Sequence, residues 1–238
     1  QEKNIACDFV KCPACLYSCT REKILKEEVE RAGELGIAAF FEKDCELPFP
    51  VAGVARFEGQ ARFQPLKFLQ AIAEEVEIYE QTRVLKVEGQ RVETARGAVT
   101  AEHIIFASHY PFINVPGYYF ARMYQERSYV VALQGASLPE GMYLGIDENG
   151  LSFRAQGGTL LFGGGSHRSG LNRQGGQYEM LLDLARVFYP GSCETGRWSA
   201  QDCMTLDGVP YIGRFSRRRP RWYVATGFGK WGMTSAMV

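Results

Sequence analysis

The sequence predicts a mixed α/β fold built from two domains, and three observations lead to that prediction. Two helical patterns precede a short, fully apolar run, which is typical of a strand buried in a parallel sheet. The middle of the chain carries short strands separated by Gly, Pro and Asn turns, which favour an antiparallel sheet. The last part returns to a strand that leads into a glycine loop. We therefore predict a parallel-sheet domain from residues 61–110 and 195–238, and a helix-and-antiparallel-sheet domain from residues 1–60 and 111–194.

Three segments have the pattern of amphipathic helices. Residues 21–35 repeat apolar side chains at helical spacing, and Thr20 and Gly36 are suited to cap the start and the end of that helix. A proline is expected to open the second helix, over residues 65–75. The third helix is predicted over residues 177–189.

The strands are predicted from alternation and from tight turns. A short strand is expected at 76–79, and the fully apolar run at 104–107 is expected to be buried on both faces of a parallel sheet. Tight turns join three strands into a predicted meander: 83–88, 91–95 and 98–101. The antiparallel sheet is expected to contain strands at 128–133, 142–146, 151–154 and 159–162.

The composition is that of a globular protein without an electrostatic partner. Of the 238 residues, 46% are hydrophobic and 23% charged, and the formal net charge is zero, so we expect neither a nucleic acid nor a membrane partner. No apolar stretch has the length of a membrane span. The seven cysteines are an odd number and no secretion signal is visible, which favours reduced thiols in a cytoplasm.

The stretch "YVATGFGKWGMTS" has the glycine spacing of a dinucleotide-binding fingerprint, Gly227-x-Gly229-x-x-Gly232. Only six residues follow Gly232, which are too few for the rest of a βαβ unit. A glycine loop at the start of a helix can also stabilise an anion, because free N–H groups and the positive end of the helix dipole point toward it. We therefore do not expect this loop to be a true dinucleotide-binding fingerprint.

The order of several motifs resembles the D-amino-acid oxidase/glycine oxidase family of FAD-dependent oxidoreductases. The stretches that carry the resemblance are "ARFQPLKFLQAIAE", "HIIFAS", "LLFGGGSHRSG", "WSAQDCMTLDGVPYIGR" and "YVATGFGKWGMT". They are most similar to a bacterial branch whose members often carry a C-terminal Rieske iron–sulfur domain. The resemblance implies FAD as cofactor, a small-molecule amine or amino acid as substrate, and a Rieske-type centre as a candidate electron acceptor.

The resemblance also gives roles to the two predicted domains. The parallel-sheet domain would be a partial, Rossmann-like FAD-binding domain, and the other would be the substrate domain. The reaction implied is oxidation of a C–N bond by hydride transfer to flavin N5. Family members hold the ADP half of FAD with a GxGxxG segment that this resemblance places before residue 1. The chain is therefore expected to be a fragment that retains FAD weakly and is inactive on its own.

Within this family, the glycine loop is expected to face the flavin ring. The implied cofactor-binding residues are Gly227, Gly229, Gly232, Met233 and Thr234. The glycines would let the backbone approach the ring, and the N–H groups at the helix start would face its pyrimidine edge. The alternative interpretation is a plain turn that carries a core tryptophan.

Three residues are candidates for a catalytic role: His109, Lys230 and Trp231. His109 follows the buried strand at its carboxyl end, where α/β sheets place ligands. It could contact the flavin or act as an acid or base near the substrate. It could equally cap its own loop by a backbone hydrogen bond. Lys230 and Trp231 lie inside the glycine loop and could reach flavin or substrate.

The candidates for substrate binding are Arg122, Arg127 and Tyr124. A buried arginine is the natural fork for a substrate carboxylate, although either arginine could instead be structural.

A competing hypothesis rests on the cysteines near the start of the chain. Their spacing resembles that of metal or iron–sulfur ligands and involves Cys7, Cys12, Cys15 and Cys19. In that case the protein would be a cysteine-based metal-binding or redox protein. The apolar residues between these cysteines are instead typical of an ordinary strand.

Overall fold

The computed structural model of the protein describes residues 4–171, 173 and 175–237. Its helices are α1 (Glu22–Glu34), α2 (Pro65–Ala73), α3 (Gln177–Phe188) and α4 (Gly232–Ser235). Its strands are β1 (Val10–Lys11), β2 (Ala14–Ser18), β3 (Ala39–Glu42), β4 (Gly53–Phe57), β5 (Ala61–Arg62), β6 (Val84–Glu88), β7 (Arg91–Thr94), β8 (Gly97–Thr100), β9 (Ile104–Phe106), β10 (Met123–Gln134), β11 (Met142–Gly145), β12 (Ser152–Gln156), β13 (Thr159–Arg168), β14 (Cys193–Thr205), β15 (Tyr211–Ser216) and β16 (Arg219–Thr226). The mixture confirms the predicted α/β fold class. No helix in the described part of the chain is long and apolar enough to span a bilayer.

The chain divides into two compact units. The first comprises Gln1–Phe68 and Arg127–Ala200, and the second comprises Leu69–Glu126 and Gln201–Val238. The divisions fall inside helix α2 and inside the long strands β10 and β14. The assignment of one unit to the cofactor and of the other to the substrate stays a prediction.

The first unit is built on an eight-stranded sheet with the order β14-β10-β13-β12-β11-β2-β4-β3. Strands β11, β12 and β13 pair antiparallel as predicted, whereas β11 pairs with β2 in parallel, so the sheet as a whole is mixed. One face of the sheet packs into a core that includes Phe153, Phe162 and Leu181 of α3. The rings of Phe153 and Phe162 stack with their centroids 5.0 Å apart. Burial of these large side chains is the main driving force for folding of this unit.

Helix α1 lies within the predicted residues, but Thr20 does not cap it. The residue at the cap position is Arg21, and no side-chain cap bond forms there. Instead, the Ser18 hydroxyl oxygen accepts the backbone N–H of Arg21 at 2.7 Å. The Thr20 hydroxyl donates to a carboxylate oxygen of Asp147 at 2.9 Å. The predicted cap was therefore wrong, because a carboxylate more than a hundred residues away in sequence captures the Thr20 hydroxyl.

Asp147 organises the start of α1 through several hydrogen bonds. Its carboxylate accepts the Ser18 hydroxyl at 2.7 Å and the backbone N–H of Cys19 at 2.6 Å, besides the Thr20 hydroxyl. Burial acts to raise the pKa of Asp147, but these hydrogen bonds and the charge of Arg21 outweigh it and lower the pKa below its usual range. A carboxyl with a lowered pKa stabilises the folded state above its unfolded pKa. That stabilisation is lost as the pH falls through the folded pKa.

We expect Asp147→Asn to lower the free energy of unfolding by about 1–2 kcal/mol near neutral pH, because the amide removes the charge and one acceptor. The difference from the wild type should shrink as the pH falls into the acid range. Urea unfolding over a pH series measures both effects. Asp183→Asn is the control, since Asp183 is exposed in α3 and pairs with Arg186. An equal loss in both variants at every pH would contradict this role of Asp147.

The second unit contains a three-stranded sheet with the order β15-β16-β9. Strands β16 and β9 run parallel, with Trp222 opposite Ile104 and Val224 opposite Phe106, as predicted for a parallel sheet. Phe106, Trp222 and Val224 lie in the core of this unit. Ile105 is 68% exposed. The expected burial of this strand on both faces was therefore wrong, because its side chains alternate between the core and an open face.

The predicted meander forms from β6, β7 and β8. The indole N–H of Trp222 donates to the carbonyl of Gly89 at 2.6 Å and ties the first meander turn to β16. The strand predicted at 76–79 was wrong. Val76, Ile78 and Tyr79 are all more than half exposed, and no strand in the described part of the chain pairs with this segment.

Candidate functional site

The glycine loop connects β16 to α4 and is held against the end of β14. The backbone N–H of Gly229 donates to the carbonyl of Cys203 at 3.0 Å, and the two residues form an antiparallel bridge. Gly227 has a φ of 75°, and a Cβ placed there would lie 2.4 Å from Cγ2 of Thr205. Gly227 is thus required by the fold itself, through both its conformation and this close approach.

Helix α4 begins immediately after the loop and leaves part of its first turn open. The carbonyl of Trp231 accepts the N–H groups of Thr234 at 3.1 Å and of Ser235 at 2.8 Å. Within the described residues, the N–H groups of Gly232 and Met233 have no acceptor. Trp231 is 66% exposed, so it is not the core tryptophan of the alternative interpretation. The donors open to a ligand here are therefore Gly232 and Met233, whereas the N–H group of Thr234 is engaged.

Lys230 forms an ion pair that could not be predicted from the sequence. Its ammonium lies 2.6 Å from a carboxylate oxygen of Asp202, near the end of β14. The Asp202 side chain is only 17% exposed, while that of Lys230 is 42% exposed. Because the two residues are 28 apart in sequence, only the bridge between β14 and the loop brings them together. The pair fixes the lysine side chain beside the loop.

His109 lies beside the strand that leads into the glycine loop. It has a positive φ of 64°, and its carbonyl accepts a hydrogen bond from the hydroxyl of Thr226, the last residue of β16. The same hydroxyl lies 3.8 Å from the thiol of Cys203. Burial raises the pKa of the Cys203 thiol, so that it stays protonated. The backbone of His109 is thus fixed to the loop, and its side chain is exposed.

Thr205 is a second residue of this site that the sequence did not single out. It is 7% exposed, and its hydroxyl has no hydrogen-bond partner among the described residues. The methyl group of the same side chain faces the Cα of Gly227. An unpaired buried hydroxyl is unfavourable, so it indicates a polar partner such as a water or a ligand atom. The feature of the sequence that could have pointed to Thr205 was its position at the end of a long polar strand, β14.

The three substrate-binding candidates do not share one unit. Arg122 lies in the second unit, with its guanidinium 4.8 Å from the ring centroid of Tyr119 and 4.9 Å from that of Tyr211. It donates to the carbonyl of Gly117 at 3.1 Å and lines a cavity of about 470 Å³. Tyr124 is partly buried in β10 of the same unit. Arg127 belongs to the first unit, and its guanidinium donates a hydrogen bond to the hydroxyl oxygen of Ser199 at 2.6 Å.

The cysteine hypothesis finds no support in the structure. No group of three or more His, Cys, Asp or Glu side chains in the described residues is placed to hold a metal ion. Cys7, Cys12 and Cys15 are buried thiols and Cys19 is exposed. Burial raises the pKa of Cys15 to about 11, which disfavours the thiolate that a metal would need.

Comparison with known proteins identifies the family. The model of the DAO family, described as FAD dependent oxidoreductase, matches residues 1–238. The chain belongs to this family. Its fold class and the motifs that carry the resemblance are therefore accounted for by membership in the DAO family.

The similar proteins include a curated relative and several solved structures. A Bacillus subtilis (strain 168) protein named "Putative Rieske 2Fe-2S iron-sulfur protein YhfW" is 37% identical over 254 residues. The match covers 100% of this chain and 50% of that protein, so the chain spans half the length of this relative.

Two solved structures show the same fold. Glycine oxidase from Geobacillus kaustophilus matches 96% of this chain and 68% of its own, with a TM-score of 0.80 and 20% identity. L-proline dehydrogenase from P. horikoshii matches 99% of this chain and 71% of its own, with a TM-score of 0.81 and 14% identity. At these identities the likeness concerns the fold, and the chemistry has to be argued from the residues of this chain.

Proposed function

We propose that this protein is an FAD-dependent oxidoreductase that oxidises the C–N bond of an amine or amino acid. The observation that carries the proposal is the match of the DAO family to the whole of residues 1–238. It is supported by the shared fold with a glycine oxidase and an L-proline dehydrogenase, whose names both specify an amino acid as substrate.

The residues of the glycine loop fit the polar edge of a flavin. Gly232 and Met233 offer N–H donors that have no acceptor in the described part of the chain, and a Cβ at Gly232 would have no atom nearer than 3.8 Å. The unpaired hydroxyl of Thr205 lies at the base of the loop. Backbone donors at a glycine loop are suited to a group that becomes negatively charged. The hydride acceptor that the proposed chemistry needs is the flavin of FAD, at N5.

The remaining roles belong to side chains around this loop. We assign FAD to the second unit, which contains the loop, and the substrate largely to the first. Lys230 is held in place by Asp202, so it can present a fixed positive charge beside the loop. Trp231 exposes an aromatic surface that can cover a ligand. Arg122 is oriented by two tyrosine rings and retains donors for a carboxylate.

Lys230→Gln is expected to lower the affinity for FAD or the turnover rate about tenfold, because the substitution removes a positive charge placed at the loop. Its effect on the free energy of unfolding should stay below about 1 kcal/mol, as for other partly exposed pairs. Lys86→Gln is the matched control, since Lys86 forms a 2.7 Å ion pair with Glu88 on the meander of the same unit. FAD titration and steady-state kinetics of both variants measure the difference. Equal effects would contradict a role for Lys230.

The substrate is tested on the full-length gene product under anaerobic conditions. Glycine, L-proline and simple secondary amines are added one at a time while the visible flavin band is followed. The proposal expects at least one of them to bleach the band, with an imine or its hydrolysis product appearing in equal amount. A flavin that none of a broad panel of amines and amino acids reduces, although dithionite reduces it, would overturn the proposed substrate class.

We further propose that a Rieske-type iron–sulfur centre accepts the electrons. Support comes from the name of the Bacillus subtilis relative, of which this chain matches half. Electron paramagnetic resonance on the full-length gene product tests this proposal. Addition of a reducing substrate should produce the signal of a reduced [2Fe–2S] centre. Reoxidation of the flavin by oxygen alone, with no such signal, would contradict it.

A further inference from the structure

A cavity of about 470 Å³ in the second unit is lined by three arginines and by no acidic residue. Arg122 immediately precedes β10, Arg214 lies in β15, and Arg217 follows that strand. All three side chains are exposed to solvent. The ion pairs that arginines form in the described part of the chain involve other residues. Three positive charges thus border one cavity, and none of them is neutralised by a carboxylate of the described residues.

The position of Arg122 in this cavity is fixed by its neighbours. Its guanidinium lies over two rings that also line the cavity, 4.8 Å from the centroid of Tyr119 and 4.9 Å from that of Tyr211. It donates to the carbonyl of Gly117 at 3.1 Å. A guanidinium has five N–H donors, so this bond leaves others for a ligand. Because the side chain is already held in place, it loses little conformational freedom when a ligand binds.

Two glycines keep the walls of the cavity in place. A Cβ at Gly117 would clash with the ring of Tyr119 and lie 2.8 Å from that of Phe215, and both rings line the cavity. Gly213 precedes Arg214 in β15, and a Cβ placed there would have no atom within 4 Å. Strand β15 is the outer strand of its sheet. Open space therefore lies beside the backbone of β15, where a ligand can approach Arg214.

We propose that this cavity binds a small molecule that carries at least two negatively charged oxyanion groups, either carboxylates or phosphates. A guanidinium presents paired N–H donors that match two oxygens of either group. Three like charges around one cavity repel each other, and a ligand with a single charge neutralises only one of them. The inference goes beyond the role proposed for Arg122, because it adds Arg214 and Arg217 to the site, requires a second negative group on the ligand and needs no flavin.

Isothermal titration of the full-length gene product tests this site with acetate, malonate and inorganic pyrophosphate, each in a chloride buffer of the same ionic strength. We expect malonate or pyrophosphate to bind with one anion for each chain, and acetate to bind at least about fivefold more weakly. Tighter binding of malonate identifies a carboxylate ligand, and tighter binding of pyrophosphate identifies a phosphate ligand. If neither of these two anions binds, or if acetate binds as tightly as they do, the proposal is overturned.

Variants locate the binding at the arginines of β15 and the following turn. Arg214→Gln and Arg217→Gln should each lower the affinity for the effective anion about fivefold, and the double variant should lower it at least about tenfold. Arg83→Gln is the control and should bind as the wild type does, since Arg83 is an exposed arginine of the same unit that does not line the cavity. An unchanged affinity in a folded double variant would overturn the proposal.

A lysine variant separates the shape of the guanidinium from its charge. Arg214→Lys keeps the positive charge but not the paired donors, so its affinity should lie between those of the wild type and Arg214→Gln. An affinity of Arg214→Lys below that of Arg214→Gln would contradict a role for the charge at this position. Thermal unfolding of each variant shows that it is folded before it is titrated.

Discussion

Replacing Phe153 with alanine is expected to lower the free energy of unfolding by about 3–5 kcal/mol. Phe153 is 1% exposed in the middle of the eight-stranded sheet. Its ring contacts those of Phe162 at a centroid distance of 5.0 Å, Phe49 at 5.8 Å and Tyr17 at 6.2 Å. The variant loses the transfer free energy of the ring and leaves a cavity that rigid neighbouring rings cannot fill.

Urea unfolding compares Phe153→Ala with Phe40→Ala. Phe40 lies on the edge strand β3 and is 54% exposed, so its replacement should change the free energy of unfolding by less than about 1 kcal/mol. The comparison separates burial from the mere loss of an aromatic ring in a strand. Equal losses in the two variants would mean that Phe153 does not occupy the core described above.

Gly227→Ala is expected to destabilise the protein by about 2–4 kcal/mol. Two effects add at this position. The φ of 75° is unfavourable for a residue with a Cβ, and that Cβ would lie 2.4 Å from Cγ2 of Thr205. Thr205 is nearly buried, so its methyl group has little room to move. Because the loop depends on this approach, FAD affinity should fall together with stability.

Gly232→Ala is the matched control in the same loop. A Cβ at Gly232 would find its nearest neighbour, Cβ of Phe228, at 3.8 Å, so the free energy of unfolding should change by less than about 1 kcal/mol. If the flavin approaches this residue, the added methyl group should still reduce FAD affinity. Thermal unfolding and FAD titration of both variants are the measurements. A stable Gly227→Ala would contradict the role of Gly227, and unchanged FAD affinity in Gly232→Ala would contradict the role of Gly232.

Local patterns predicted most elements of this fold. Helices α1, α2 and α3 and the meander lie close to their predicted bounds, because spacing, caps and tight turns are encoded by neighbouring residues. The strand predicted at 76–79 was wrong, because a local pattern alone does not make a strand. A strand needs a partner as well as a suitable sequence, and the described residues supply none there.

Contacts between distant residues were beyond sequence reasoning. Asp147 replaces Thr20 as the organiser of α1, and Asp202 fixes Lys230. The exposure of Ile105 depends on which face of β9 is covered. Each outcome depends on the pairing of strands, which determines side-chain neighbours but leaves no periodic signal in the chain.

The glycine loop shows what the sequence could predict and what it could not. The glycine spacing located the loop from the sequence alone, and the resemblance to the family implied FAD as its ligand. The structure assigns different physical tasks to the glycines: Gly227 allows the close approach to Thr205, whereas Gly232 leaves open donors at the start of α4. The sequence could not separate these tasks, because the difference lies in the neighbours of each glycine.

Whether the glycine loop of this chain holds FAD is tested by the visible absorbance of the full-length gene product, followed by titration with FAD and release of the bound cofactor by denaturation. We expect a flavin band and one FAD for each chain, with binding weakened by Gly232→Ala. A colourless full-length protein that binds no added FAD would contradict the proposed function.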